Sequence, residues 1–135
     1  MKTAWIVSHC EVYLKPGSWA VDEMPQFVAS SKASALRLIR ATWVDPGTWW
    51  RLEEFRVDDF QVRGRAAELY SREGRPLKSE PRERGYRAAI PRYRKNLARM
   101  RAQLEEFRRE GRPKRDIAIV SQALRSTRNC LKGHA

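Results

Sequence analysis

The sequence predicts an α+β protein: a small antiparallel sheet, ordered strand, strand, helix, strand plus a hairpin, followed by a basic antiparallel helical hairpin. Three observations predict it. β-rich runs punctuated by turn signals fill the first 80 residues, the hydrophobic period then changes to a helical one, and the charge changes with it. Residues 1–60 hold 7 Lys and Arg against 8 Asp and Glu, whereas residues 61–135 hold 21 against 8, so the formal balance moves from −1 to +13. All five tryptophans (Trp5, Trp19, Trp43, Trp49 and Trp50) lie on the neutral side. The expected division is a sheet domain over residues 1–80 and a helical extension over 81–135, the first with room for only a modest core.

The elements follow from local pattern. Thr3 to Leu14, with Trp5, Ile6, Val7, Val12, Tyr13 and Leu14, is β-rich and closes at Lys15-Pro16-Gly17. Met24 to Ala29 reads as a second, short extended piece. Ser30 or Ser31 then supplies an N-cap to a helix whose apolar positions are Ala35, Leu36, Ile39 and Trp43, and Asp45-Pro46-Gly47 stops it. Thr48 to Val57 is a third strand. Core packing is the favoured reading of the tryptophans, with stacking platforms for single-stranded bases the alternative; the adjacent Trp49 and Trp50 must point to opposite faces, so one of them is the better candidate for an exposed aromatic. Ala66 to Leu77 reads as a hairpin with Gly74 in the turn, extending the sheet edge.

Beyond it, Ile90, Tyr93, Leu97, Met100, Leu104 and Phe107 recur at spacings of 3, 4, 3, 4 and 3, a heptad seam. Pro91 suits a first helical turn, and Gly111 followed by Pro113 ends the helix. A last helix from about Lys114 to Leu131 carries Ile117, Val120, Leu124 and Leu131 on one stripe, and the short connection predicts a helical hairpin. The seam residues Tyr93, Leu97, Met100, Leu104 and Phe107 are also the surface through which a partner or a second copy would pair.

Charge places the expected function. Between Arg82 and Arg101 stand eight cations, Arg82, Arg84, Arg87, Arg92, Arg94, Lys95, Arg99 and Arg101, against the single acid Glu83. With Ile90 at position a, Arg94, Arg101 and Arg108 fall at e and Arg92 and Arg99 at c, bordering the seam. Glu105 and Glu106 stand at compensating distance from Arg101, Arg108 and Arg109. If the helix starts near Ile90, Arg92, Arg94 and Lys95 occupy its first turn, where the macrodipole favours anions. A phosphate would suit that position. Arg112, Lys114 and Arg115 form a second cluster at the loop. Arginine suits phosphate through its fork geometry and stacks on bases. A solvated charged face is the plain alternative, but it does not explain why the excess of cations begins after residue 60.

Other chemistry is weakly signalled. The acidic pairs Asp22-Glu23, Glu53-Glu54 and Asp58-Asp59 lack the spacing of a magnesium site. His9-Cys10 and Cys130 with His134 are zinc-type ligands, yet neighbours on a strand diverge. No phosphate-binding glycine loop, zinc-protease helix or nucleophile elbow is present, so no catalytic residues, metal or cofactor are expected. Two cysteines make no disulfide framework, no run approaches the ~20 apolar residues of a bilayer span, and Ala4 to Val7 is too short for a signal-peptide core. A cytoplasmic location follows. The expectation is a non-enzymatic protein binding nucleic acid, DNA or RNA, through its Arg-rich helix. The competing expectation is a regulatory module that docks an acidic protein or a second copy of itself.

Overall fold

Thr3–Lys15 forms strand β1 and Ser18–Ala29 forms β2, joined through Pro16-Gly17, where Gly17 takes a φ of 68°. In the computed structural model, which describes residues 3–56, 61–62 and 67–134, the remaining elements follow in order: α1 (Lys32–Ala41), β3 (Trp49–Arg56), β4 (Gln61–Val62), β5 (Glu68–Ser71), β6 (Pro76–Leu77), α2 (Arg82–Arg109) and α3 (Lys114–Cys130). The fold is α+β. The sheet runs β2-β1-β3-β5-β6, with β4 also pairing to β3. β1 and β3 are antiparallel, with Val7 opposite Leu52 and Cys10 opposite Trp49. β2 is longer than the extended piece over residues 24–29, because the tight turn carries pairing straight back along β1. Pro25 is tolerated there because β2 is an edge strand.

Two compact units divide the chain, Met1–Val12 with Val21–Gly85, and Tyr13–Ala20 with Tyr86–Ala135. In the first, α1 begins at Ser31, whose side chain accepts a hydrogen bond from the Ser34 N–H at 3.1 Å. Its buried Ala35 and Ile39 meet Val7, Ala29, Trp50, Leu52 and Tyr70 in one cluster. Complete burial of Val7, Ile39 and Leu52 stabilises the unit by about 1.5–3 kcal/mol each. At the rim Lys32 reaches Glu68 at 2.8 Å, and the Tyr70 hydroxyl donates to the same carboxylate at 2.6 Å. The two bonds hold the Glu68 carboxyl below the usual carboxylate range, with Lys32 first.

The other face of the sheet carries Cys10, Val12 and Trp49, all buried. Gly85, in the first turns of α2, closes over them. A β-carbon there would stand 2.9 Å from a Val12 methyl, 3.0 Å from the Gly47 carbonyl oxygen and 3.1 Å from the Trp49 ring. Both faces of β3 are therefore covered, and Trp49 and Trp50 are each 0% exposed. Core packing, the favoured reading of the tryptophans, holds for both, and the alternative that one of this pair is an exposed aromatic is corrected. Trp43 corrects another. The Thr42 hydroxyl donates to the Leu38 carbonyl at 2.7 Å and Thr42 turns extended (φ −100°, ψ 120°), so α1 ends before Trp43, which is 75% exposed rather than packed.

The hairpin at Gly74 forms as expected. Gly74 has a φ of 88°, and Leu69 and Tyr70 lie opposite Leu77 and Pro76. Val57 and Ala66, at the expected ends of β3 and of this hairpin, lie outside the described residues.

The second unit contains the helical hairpin. The Arg112 N–H donates to the Phe107 carbonyl at 3.0 Å and the Gly111 N–H to that of Arg108 at 3.3 Å, with Gly111 at φ 66°. This pair of bonds ends a helix in a Schellman turn. Glu110–Pro113 then reverse the chain, and the Thr127 hydroxyl meets the Met100 sulfur at 3.6 Å. Leu97, Val120 and Leu124 are the buried members of the two stripes, while Tyr93, Met100, Leu104, Phe107, Ile117 and Leu131 are half-buried. The β1–β2 turn belongs to the same unit. The Gly17 N–H donates to the Lys132 carbonyl at 2.7 Å, and the Tyr93 hydroxyl accepts from the Leu14 N–H at 3.2 Å.

Candidate nucleic-acid interface

The charged helix starts earlier than its apolar seam. α2 begins at Arg82, directly after Pro81, whose carbonyl accepts from the Gly85 N–H at 2.9 Å, and Glu83 is the acid of its first turn. Arg92, Arg94 and Lys95 therefore lie well inside α2, as does Pro91. The reading of these three as first-turn cations over a phosphate at the helix N-terminus is corrected, and so is the first-turn place of Pro91. Residues 82–85 show no apolar period because Gly85, small and buried, makes the approach instead. Pro81 followed by Glu83 is the signal in the sequence that marks the true start.

Along α2, Arg87, Arg94 and Arg101 recur every seven residues, which sets them about 10.5 Å apart on one side of the helix. Lys95 and Arg99 widen that stripe, and all five are exposed. Among the described residues, no acid pairs with Arg94, Lys95, Arg99 or Arg101. Nor does Glu105 or Glu106 form an ion pair with Arg101, Arg108 or Arg109, so the compensation expected from their spacing is not made.

The other expected contact residues are placed differently. Arg82 is tied to Glu80 at 2.7 Å, and Arg92 is half-buried with its guanidinium 6.0 Å from the Tyr93 ring. Arg112 lies 4.7 Å over the Phe107 ring and pairs with Glu110 at 2.9 Å, which raises its already high pKa. Lys114 and Arg115 are exposed at the start of α3, beside Asp116. In the first unit, Arg84 is exposed and lines an open hollow of about 310 Å³ together with Gly47, Thr48, Ser71, Arg72 and Glu73.

The zinc-type residues do not gather. His9 packs on Trp50, with ring centroids 5.2 Å apart on the α1 side of the sheet, while Cys10 is buried on the other. His134 is engaged elsewhere: Nε2 donates to the Lys15 carbonyl at 2.7 Å, and Nδ1 lies 2.8 Å from the Tyr86 hydroxyl. Among the described residues no three His, Cys, Asp or Glu side chains come together as a metal site. Asp58 and Asp59 lie outside them. Of the remaining acids, Glu23 pairs with Arg51 at 3.1 Å. Among the described residues, no helix is long and apolar enough to cross a membrane.

Comparison with protein-family models, curated proteins and solved structures finds no match to this chain.

Proposed function

We propose that this chain is a non-enzymatic, cytoplasmic nucleic-acid-binding protein whose phosphate contacts come from the outer face of α2. The observation that carries the reading is the group Arg94, Lys95, Arg99 and Arg101, exposed on one helix and paired with no acid among the described residues. Like charges three or four residues apart on a helix cost about 0.2–0.5 kcal/mol per pair, and Lys95 with Arg99 is such a pair. The helix carries that cost with only Glu83 among its first twenty residues to offset it. A polyphosphate backbone turns the same repulsion into affinity, because each neutralised phosphate releases condensed counterions. Arg87, exposed on the same stripe, extends the contact, and Lys114 and Arg115 add a second cluster at the hairpin end.

The test is fluorescence-anisotropy binding of labelled single-stranded and duplex DNA and RNA across a salt series. Wild type should keep measurable affinity at physiological salt, with a log–log slope near −3 or steeper, the value for about four displaced phosphates. Replacing Arg94, Lys95, Arg99 and Arg101 together by Glu should abolish binding and leave the circular dichroism spectrum unchanged. Equal binding by this variant, or affinity in wild type that vanishes by physiological salt, refutes the reading. The second of these outcomes would direct the search to an acidic protein partner.

A further inference from the structure

Among the described residues, Trp43 is the large apolar side chain left most exposed. It is 75% exposed, although Trp49 and Trp50, six and seven residues on, are completely buried. Its backbone is nevertheless held on both sides. Thr42 bonds back into α1 through its hydroxyl and through its N–H, which donates to the Ile39 carbonyl at 3.4 Å. Val44 packs against the core cluster, and its carbonyl accepts from the Arg72 guanidinium at 3.4 Å. The indole thus projects from a fixed point. It was not singled out by its sequence context, where its spacing from Ile39 reads as one more core position.

Cations flank it. Arg40, three residues before it, lies along the β5–β6 turn, its Cγ only 2.9 Å from where a β-carbon of Gly74 would stand. Arg72, within the same turn, donates to the Val44 carbonyl and lines the hollow together with Ser71, Thr48 and Arg84. Arg75 is exposed in that turn as well. Glu73, in the same turn, is held by Arg72 at 3.2 Å, and Asp45, two residues after Trp43, is half-buried. An exposed aromatic plate on a segment that arginines contact complements a flat, neutral base joined to negatively charged phosphates.

We propose that Trp43 is a stacking platform for an unpaired nucleobase, with Arg40 and Arg72 meeting the phosphates that flank that base. The ligand class of the first unit is then single-stranded nucleic acid, since a duplex keeps its bases stacked on one another. An apolar protein surface would also cover an indole, but it gives the flanking arginines nothing to meet. This inference rests on the nucleic-acid reading above and narrows it to one form of the polymer.

The test uses the full chain and three labelled probes of equal length: a single-stranded oligonucleotide, an abasic strand with the same phosphates, and a duplex. Trp43→Ala should weaken the first by at least about fivefold, the lower end of what one base–aromatic stack contributes, and leave the other two unchanged. Trp43→Phe should retain most of the affinity, and the quenching of tryptophan fluorescence seen on binding should fall in both variants. A matching urea midpoint in wild type and variants shows that the fold is intact.

Equal losses on the strand with bases and on the abasic strand overturn the proposal, as does no loss at all. So does an effect of Trp43→Ala confined to self-association, which would make the indole a contact between copies. If wild type binds the strand and only the Arg94, Lys95, Arg99 and Arg101 reversal abolishes it, the proposed function survives and this inference fails. If wild type binds no probe, both fall together.

Discussion

Gly85 and Cys10 show how closely the side chains behind β1 and β3 are set. In an open helix, Gly→Ala stabilises by about 1 kcal/mol. At Gly85 the added methyl would meet the Val12 side chain, the Gly47 carbonyl and the Trp49 ring at 2.9–3.1 Å, and overpacking of this kind costs about 1–3 kcal/mol. Packing outweighs propensity, so Gly85→Ala should lower stability by about 1 kcal/mol, read as a fall in the urea midpoint. A raised midpoint would show that α2 does not seat there. Cys10 is buried on the same face, and burial first, then the Glu23 carboxylate, pushes its thiol up to about 12. At pH 8 a thiol reagent should therefore count one accessible cysteine, the half-buried Cys130, and two only after denaturation. Two rapidly reacting thiols in the native protein would contradict this burial. Adjacent placement makes it legible that Trp49 and Trp50 diverge. That both are covered is not, because the cover on the Trp49 side is a glycine with no hydrophobic signature.

At the scale of elements, the strongest periodicities were the most reliable guides. The heptad seam marks α2, Gly111 and Pro113 mark its end, and Gly74 marks the β5–β6 turn. Gly111 differs from Gly85 in kind: nothing lies within 4 Å of an added β-carbon, but its φ of 66° belongs to the left-handed region. Gly111→Ala should cost about 1–2 kcal/mol through backbone conformation alone, and Gly111→Asn, which tolerates that region, distinctly less. Thermal unfolding followed at 222 nm would rank the two variants, and an equal loss for both would point to some other role for the glycine. Element starts were less legible than their ends. α2 opens eight residues before Ile90, and its first turn approaches the sheet through Gly85, which a search for large apolar residues passes over. α1 stops short of Trp43 because a threonine hydroxyl captures the Leu38 carbonyl, a bond that competes with continuing the helix and that hydrophobic spacing does not report.

Over the whole molecule, a formal charge of +12 has two opposed consequences. It repels itself in the compact state and attracts polyanions, and salt screens both over a Debye length of about 10 Å at 0.1 M. Raising salt from about 20 to 200 mM should therefore lift the thermal midpoint by about 2 °C or more while it weakens nucleic-acid binding. A midpoint that falls with salt would mean that attractive pairs such as Lys32–Glu68 outweigh the repulsion. The charge step between the halves, the α+β class, the order of the elements and the helical hairpin were all determined by sequence alone, since each depends on composition or on neighbours within a few positions. The cationic stripe on α2 is equally local, as side chains seven residues apart must share a helix face. Tertiary structure alone decided the rest. Among the described residues it left Arg94, Arg99 and Arg101 without acidic partners, and it joined His134 to Lys15 across 119 positions of sequence. It also hid Trp49 and Trp50 while leaving Trp43 bare. Exposure and long-range hydrogen bonds depend on which distant surfaces meet, and no local spacing encodes that.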